Sequence, residues 1–288
     1  MILTEYPASP ATRHLVRVYR VVHFALDATR PRAVKVYPPT AEHCLQLFAR
    51  ESESVEYPDG QSFQWNSAIA GAHDVTVRRL VPADFLMVQV VLQPSAVHRL
   101  TGLHAGTLHN RYIDAEAVLG QRVTRVAEAI RDGRTYREMI DLADGFVASL
   151  DARRRPLRDI DDALRLLRDD PSSRVDGLAA SCGLSLRQME RSCRERTGLG
   201  PKAFARLSRF DRAFHGKLQR PDLDWLSVAI ACGYYDYQHM ARDFRHFTGL
   251  TPPALLDTQS TSPERILGVR HGFDLSYSVP MIGVSARR

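Results

Sequence analysis

The stretch that decides the fold is Gly233-Tyr-Tyr-Asp236-Tyr-Gln-His-Met-Ala-Arg242-Asp-Phe244-Arg-His-Phe-Thr-Gly249-Leu-Thr-Pro252. It opens with a glycine that tolerates positive φ, and an aspartate suited to capping a helix follows. Apolar residues then recur at helical spacing. Gly249 and Pro252 stand where a glycine and a proline usually end a helix. The stretch therefore predicts a tight turn followed by a helix over 237–248.

The pattern occurs a second time in the chain, so the sequence contains an internal repeat. Leu178-Ala-Ala-Ser-Cys182-Gly183-Leu184-Ser185 corresponds to Val228-Ala-Ile-Ala-Cys232-Gly233-Tyr234-Tyr235-Asp236. The closing phrase Thr197-Gly198-Leu199-Gly200-Pro201 corresponds to Thr248-Gly249-Leu250-Thr251-Pro252. Each copy predicts a helix, a turn at Gly183 or Gly233, and a second helix capped by Ser185 or Asp236.

The second helix of each copy separates an apolar stripe from a polar face. The stripes consist of Leu186, Met189 and Cys193 in one copy, and of Met240, Phe244 and Phe247 in the other. The polar faces predict contact with base edges of DNA, because arginine pairs bidentately with guanine and glutamine with adenine. The candidate DNA-binding residues are Arg187, Glu190, Arg191, Arg194, Tyr237, Gln238, His239, Arg242 and Arg245.

The alternative for one such helix is a solvated charged face on an ordinary helical bundle. Two copies with the same turn glycine, cap, arginine position and closing phrase favour DNA binding. The two helices are not equivalent readers. The arginines of the first suit base contact, with Glu190 accepting from a cytosine amino group or pairing with an arginine. Tyr237 and His239 are bulky, so the second helix is expected to read shape or phosphate more than bases.

Residues 157–256 resemble the DNA-binding domain of the AraC/XylS regulators, with the most specific residues within Leu178–Pro252. The resemblance implies about seven helices, with a long helix from Pro201 to about Leu218 joining two helix-turn-helix units. That helix would hold the two reading helices about one DNA turn, roughly 34 Å, apart. The resemblance implies a bacterial transcription regulator, classed as an activator, that binds double-stranded promoter DNA and contacts RNA polymerase.

The part of the chain before residue 155 has a different pattern. Short runs rich in Val, Leu and aromatic residues predict strands at Val34–Val36, Cys44–Phe48, Thr76–Leu80 and Phe85–Leu92. Amphipathic periods predict helices from Pro94 to about Leu100, over 115–131 and over 136–150, the last with a capping box from Thr135 to Glu138. The fold class expected for the whole chain is α+β, with a small β-barrel-like domain, flanking helices and an all-α domain.

These patterns divide the chain into three parts. They are residues 1–155, for which the resemblance implies a sensing or dimerisation domain, residues 156–257, which match the DNA-binding domain, and a C-terminal tail over 258–288. The boundary is predicted at Asp151–Pro156, which is charged and ends in a helix-breaking proline. The tail begins as a linker, and its alternating stretch Gly272–Gly283 is expected to add an edge strand. The helices over 115–131 and 136–150 are expected to pack on the barrel or on a second subunit, so a homodimer is one expectation.

The composition and charge of the chain limit the classes of protein to which it can belong. The 288 residues carry a net charge of +6, with 44% hydrophobic and 25% charged residues, which is typical of a soluble globular protein. Between Arg174 and Arg220 eleven lysines and arginines stand against four acids, which suits a polyanionic partner. No apolar run is long enough to cross a bilayer, and Met1–Pro10 lacks the pattern of a signal peptide, so a cytoplasmic location without a membrane partner is expected.

Other kinds of site have weaker support in the sequence. The four cysteines are isolated and are expected to be buried apolar residues, while the histidines lack the spacing of a barrel metal site, so neither metal nor cofactor is predicted. Tyr57, Phe63, Trp65, Phe85 and Met87 fit a plain core or the lining of an effector pocket. No catalytic residue is predicted. The alternatives to a regulator are an enzyme or repair protein with a fused DNA-binding module, and a non-specific architectural protein.

Overall fold

The computed structural model describes residues 2–25, 33–57, 59–151, 155–260 and 270–272. Its strands are β1 Ile2–Pro7, β2 Val16–Ala25, β3 Ala33–Tyr37, β4 His43–Phe48, β5 Ser54–Glu56, β6 Ser62–Gln64, β7 Ser67–Ala70, β8 Val77–Val81, β9 Asp84–Leu92, β10 Tyr112–Asp114 and β11 Arg270–Gly272. Its helices are α1 Ala96–Thr101, α2 Ala115–Leu119, α3 Gln121–Asp132, α4 Tyr136–Asp151, α5 Asp159–Asp169, α6 Val175–Ser181, α7 Leu186–Thr197, α8 Pro201–Gln219, α9 Trp225–Ala231, α10 Tyr237–Thr248 and α11 Pro252–Ser260. A 3₁₀ helix spans Ala105–Leu108. The predicted α+β class is confirmed.

The strands of the described residues form two sheets, one in the order β10-β7-β4-β9-β2-β1-β11 and one in the order β3-β8-β5-β6. All neighbouring strands pair antiparallel except β1 and β11. Both faces of β9 are buried, because Leu86, Val88 and Val90 join the core under the helices while Phe85 and Met87 join an apolar cluster on the opposite face. A strand buried on both sides explains why its sequence is almost continuously apolar.

The helices that follow the sheet cover one of its faces. α3 and α4 place Val126, Ile130, Ile140 and Val147 in the same core as the strands, so their apolar stripes are used within the subunit. The single helix expected over 115–131 is instead two helices. Gly120, with φ +72°, separates α2 from α3, since that backbone conformation interrupts a helix and favours glycine.

The C-terminal part is all helical in the described residues, and the seven helices from α5 to α11 agree with the prediction. Its core is built around Met189, Cys193, Phe210, Met240 and Phe244, all fully buried. The long helix α8 runs between the two repeats and contacts α5, α7, α9, α10 and α11.

The predicted boundaries fall at places where only part of the chain is described. Residues 152–154 of the predicted linker lie outside the described residues, as do residues 273–283 of the stretch expected to form an edge strand. α11 continues to Ser260, beyond the predicted start of the tail at residue 258. β11 pairs with the edge strand β1 in parallel, so the described part of the tail returns to the larger sheet.

Candidate DNA-binding site

The first helix-turn-helix unit comprises α6, its turn and α7. The turn residue Gly183 has φ +64°, the left-handed conformation that glycine adopts without strain. The Ser185 hydroxyl accepts a hydrogen bond from the Gln188 amide at 3.3 Å, and the Gln188 side chain accepts from the Ser185 amide at 2.8 Å. This reciprocal pair satisfies two amides at the start of α7 and fixes where the helix begins.

The second unit comprises α9, its turn and α10, with the same local chemistry. Gly233 has φ +81°, and the Asp236 carboxylate accepts from the His239 amide at 2.6 Å. Its turn is one residue longer, because Leu184 and Tyr234 occupy equivalent places whereas the caps are Ser185 and Asp236. The additional residue is Tyr235, which is 87% exposed. The sequence shows this difference, because one more residue separates Gly233 from its cap Asp236 than separates Gly183 from its cap Ser185.

Leu186 departs from the predicted buried stripe of α7. It is 59% exposed, whereas Met189 and Cys193 are fully buried. Leu186 is the first residue of the helix, and Leu184 in the preceding turn supplies the apolar side chain that packs on the core there. The equivalent residue of the second unit, Tyr237, does pack on the core and is half-buried.

Four arginines on the two helices have no protein partner among the described residues. They are Arg187 and Arg191 on α7, and Arg242 and Arg245 on α10, and all four are exposed. Residues three or four apart share a helix face, so each helix presents two cationic groups to the same side. Most other arginines of the helical part are paired, for example Arg174 with Asp176 at 2.6 Å. The unpaired cations are therefore concentrated on the faces that the sequence predicted.

Glu190 and Arg194 are tied to each other. The Arg194 guanidinium donates to Glu190 Oε1 at 2.9 Å, and the side chain of Glu190 is about half exposed. The same carboxylate lies against Gly200, where an added Cβ would stand 2.4 Å from Oε1. Glu190 thus orients Arg194 and contacts the residue that caps α8, an arrangement that favours its arginine-pairing role over a cytosine contact.

The three remaining candidates of the second helix differ in accessibility. Gln238 is exposed, whereas Tyr237 and His239 are half-buried. The His239 ring packs edge-on against Tyr234 with 5.1 Å between ring centroids, and its Nδ1 accepts from the Tyr235 amide at 3.5 Å. His239 therefore braces the turn, and Gln238 is the exposed member of this trio.

Ion pairs anchor both helices, one of them buried and the other partly buried, and the sequence gives no sign of either. Arg196 at the end of α7 donates to Asp161 of α5 at 2.8 Å, and both side chains are nearly inaccessible. Asp243 of α10 accepts from Arg206 of α8 at 2.6 Å. Helical spacing gives no signal for these contacts, because the partners lie 35 and 37 residues apart.

The linker helix α8 also contacts the turn of the second unit. Arg209 donates to the Gly233 carbonyl at 3.2 Å, and its guanidinium lies over the Tyr234 ring at 4.8 Å. Burial raises the pKa of Tyr234, so its hydroxyl keeps its proton. Arg209, like Arg206, binds groups of the protein and orients α10. Neither belongs to the four arginines without a protein partner.

The histidines and cysteines form no group that could hold a metal ion among the described residues. His98 Nδ1 lies 2.9 Å from the Leu103 carbonyl, and His73 Nδ1 lies 2.7 Å from the Gly71 carbonyl. Burial raises the pKa of Cys44 to about 11 and that of Cys193 to about 12, which keeps both as unreactive thiols. No helix in the described part of the chain is long and apolar enough to cross a membrane.

The five aromatic and methionine side chains proposed for an effector pocket lie in two places. Phe85 and Met87 are buried in a small apolar cluster with Phe24 and Phe48. Trp65 instead stacks on both Phe63 and Tyr112, and Tyr57 meets the same two rings edge-on. Phe63 is 42% exposed, whereas Tyr112 is buried. The first pair is plain core, and the second group is an aromatic cluster that is exposed at Phe63.

Comparison with known proteins gives one sequence family and several similar structures. Residues 178–258 match the family described as "Helix-turn-helix domain". No curated protein matches the chain. The apo form of a ToxT variant from Vibrio cholerae strain SCE256 is 8% identical, with a TM-score of 0.51 over 83% of this chain and 97% of that one.

Two further structures have lower TM-scores. Wild-type ToxT of the same strain with a bound unsaturated fatty acid is 10% identical over 83% of this chain and 95% of that one, with a TM-score of 0.48. The AraC-like transcriptional activator CuxR is 14% identical over 70% of this chain and 76% of that one, with a TM-score of 0.28. At these identities the likeness to the ToxT variant shows the fold, a β-rich part followed by the helical part. The family match over residues 178–258 and the geometry of the two units show that this part of the chain is a helix-turn-helix domain.

Proposed function

We propose that the protein is a sequence-specific regulator whose reading helices α7 and α10 enter adjacent major grooves of promoter DNA. The observation that carries the proposal is the set of four exposed, unpaired arginines, two on each reading helix. A guanidinium without an internal partner loses no protein contact when it binds a phosphate or a guanine edge. Arg187 and Arg191 are assigned to the first groove, and Gln238, Arg242 and Arg245 to the second.

The N-terminal domain is proposed to sense a small-molecule effector. The aromatic cluster of Tyr57, Phe63, Trp65 and Tyr112, which is exposed at Phe63, supports this, since aromatic side chains suit flat or apolar ligands. Dimerisation is the second proposed role. The apolar stripes of α3 and α4 are already covered by the sheet, so a homodimer would pair through another surface. Contact with RNA polymerase completes the proposal for an activator.

The test begins with selection of duplex DNA from a random-sequence pool by the full-length protein, followed by hydroxyl-radical footprinting. Arg191→Ala and Arg242→Ala are each expected to weaken specific binding by about 1–3 kcal/mol, the worth of one bidentate base contact. Each should lose protection on a different half of the footprint, because the two residues lie on different reading helices.

Arg137→Ala is the charge-matched control, since Arg137 is an exposed arginine of α4 paired with Asp141 in the N-terminal domain. It should bind the selected duplex like the unmodified protein. If Arg191→Ala and Arg242→Ala also bind unchanged, or if the pool yields no preferred sequence, the proposed reading faces are wrong. The second result would instead favour an architectural protein.

A further inference from the structure

The closing phrases of the two repeats are alike in sequence but differ in environment. Every residue of 197–201, at the end of α7, is buried. In the second repeat Gly249 is exposed, and Thr248, Leu250 and Thr251 are only half-buried. Nearly identical sequences with unequal burial indicate that a part of the chain outside the helix-turn-helix unit covers the first copy.

The 3₁₀ helix of the N-terminal domain is what covers it. A Cβ added at Gly198 would stand 2.9 Å from the Ala105 carbonyl oxygen and 3.4 Å from His109 Cβ. At Gly249, the equivalent position, an added Cβ would meet nothing within 4 Å. Both glycines have the same positive-φ backbone conformation. Their surroundings differ because the N-terminal domain lies against Gly198 and not against Gly249.

A chain of polar contacts joins the same turn to the N-terminal domain. His98 Nε2 of α1 lies 3.7 Å from Glu195 Oε1, and Arg155 Nη1 lies 3.3 Å from the same His98 nitrogen. The other oxygen of Glu195 accepts from Arg196 at 3.1 Å. Arg196 also binds Asp161, so the contacts run without a gap from α1 through the end of α7 to α5.

The two domains also touch along α5, α8 and α11, where Gln259 of α11 donates to the Val36 carbonyl at 2.7 Å. Ala41 and Ala72 of the N-terminal domain belong to the helical core. Arg168 of α5 donates to the Gln93 side chain at 2.7 Å, and Thr40 donates to Asp211 of α8 at 3.3 Å. The reading face of α7 lies on another side, where Arg187 and Arg191 remain exposed.

We infer that the N-terminal domain controls DNA binding by positioning the first reading helix alone, through the turn at 195–200 docked on residues 98–109. The inference rests on the proposed function and assigns its regulation to one of the two units. Because docking leaves the reading face open, it supports binding rather than masking it. A ligand or partner that shifts α1 or the 3₁₀ helix would therefore weaken one half of the DNA contact and leave the other intact.

The experiment uses the full chain and the duplex selected from the random pool, with footprints of Arg191→Ala and Arg242→Ala marking the half bound by each unit. Glu195→Gln removes the charge that Arg196 binds beside His98, with little change of volume. Gly198→Ala pushes against Ala105. Each is expected to reduce affinity about fivefold or more, within the usual range of coupling between sites, with protection lost only on the first half.

The repeat supplies matched controls. His246→Gln occupies the position equivalent to Glu195, and Gly249→Ala that equivalent to Gly198; both should change affinity less than twofold and leave both halves protected. Amide hydrogen exchange without DNA provides a second measurement, in which Glu195→Gln should speed exchange at the end of α7 and in the 3₁₀ helix but not in α10.

Two results would overturn the inference: equal loss on both halves in Glu195→Gln, or unchanged footprint and exchange in both first-unit variants. If no duplex is selected, or if Arg191→Ala and Arg242→Ala bind normally, the proposed function itself fails. The exchange measurement then still reports the docking of the two domains.

Discussion

Buried histidines make the N-terminal domain sensitive to mild acid. His23, His43 and His73 are at most 3% exposed, and burial lowers the pKa of His23 and His43 to about 4 and that of His73 to about 3. The folded domain therefore keeps them neutral, whereas the unfolded chain binds protons near pH 6.5. The contribution of these histidines to the free energy of unfolding is therefore fully present above about pH 6.5. It is lost as the pH falls from there towards the pKa values of the folded state.

The size of the stability loss follows from the interval between the unfolded and folded pKa values of the histidines. At pH 5 each histidine is still neutral in the fold but lies about 1.5 pH units below its unfolded pKa, which costs about 2 kcal/mol. The three together cost about 6 kcal/mol, comparable with the whole stability of an ordinary domain. That interval lies above the ordinary pKa values of carboxylates, so protonation of Asp and Glu adds little at pH 5.

Urea unfolding at pH 7 and pH 5 measures the effect, and the two tryptophans allow it to be localised. Trp225 belongs to the helical part, so Trp225→Phe leaves Trp65 as the fluorescent reporter of the N-terminal domain. In that background His43→Met should reduce the pH dependence by about 2 kcal/mol, because one titrating group is gone.

His246→Gln is the control, since His246 is exposed on α10 and its loss should leave the pH dependence of Trp65 unfolding unchanged. The reasoning is refuted if the unfolding free energy of the N-terminal domain is the same at pH 7 and pH 5. It is also refuted if His43→Met shifts the urea midpoint equally at both pH values, because the histidine would then contribute packing without titrating.

Three further expectations concern the helical part. Asp161→Ala should cost about 3–5 kcal/mol in urea unfolding, because it leaves Arg196 buried without its main partner; a cost below 1 kcal/mol would show that the pair does not anchor α7. Ser185→Ala should cost about 1 kcal/mol through loss of the α7 cap, and an unchanged melting temperature would contradict the capping box. Binding to the selected duplex should weaken steeply with salt, with a log–log slope reduced by about 1 for each phosphate-binding arginine removed, so a flat salt dependence would argue against phosphate contact.

Much of the helical part could be predicted from the sequence because its signals are local. Turn glycines, caps and closing glycines act within a few residues, so Gly183, Ser185 and Gly249 indicated where α7 and α10 begin and end. The strands of the N-terminal domain were harder, because pairing depends on residues far apart in the chain. The sequence therefore indicated several strands without their sheet order, and Gly120 was not recognised as the break between α2 and α3.

The sequence by itself determined the repeat, the helix-turn-helix units and the arginine faces, since periodicity and capping chemistry follow from neighbouring residues. Only the tertiary structure decided which side chains on those faces contact other groups of the protein and which do not. Glu190 is occupied by Arg194, and His239 supports its turn. It also decided that two nearly identical closing phrases differ, with Gly198 buried against Ala105 and Gly249 exposed. Docking between domains depends on surfaces brought together only by the complete fold, and no local pattern encodes it.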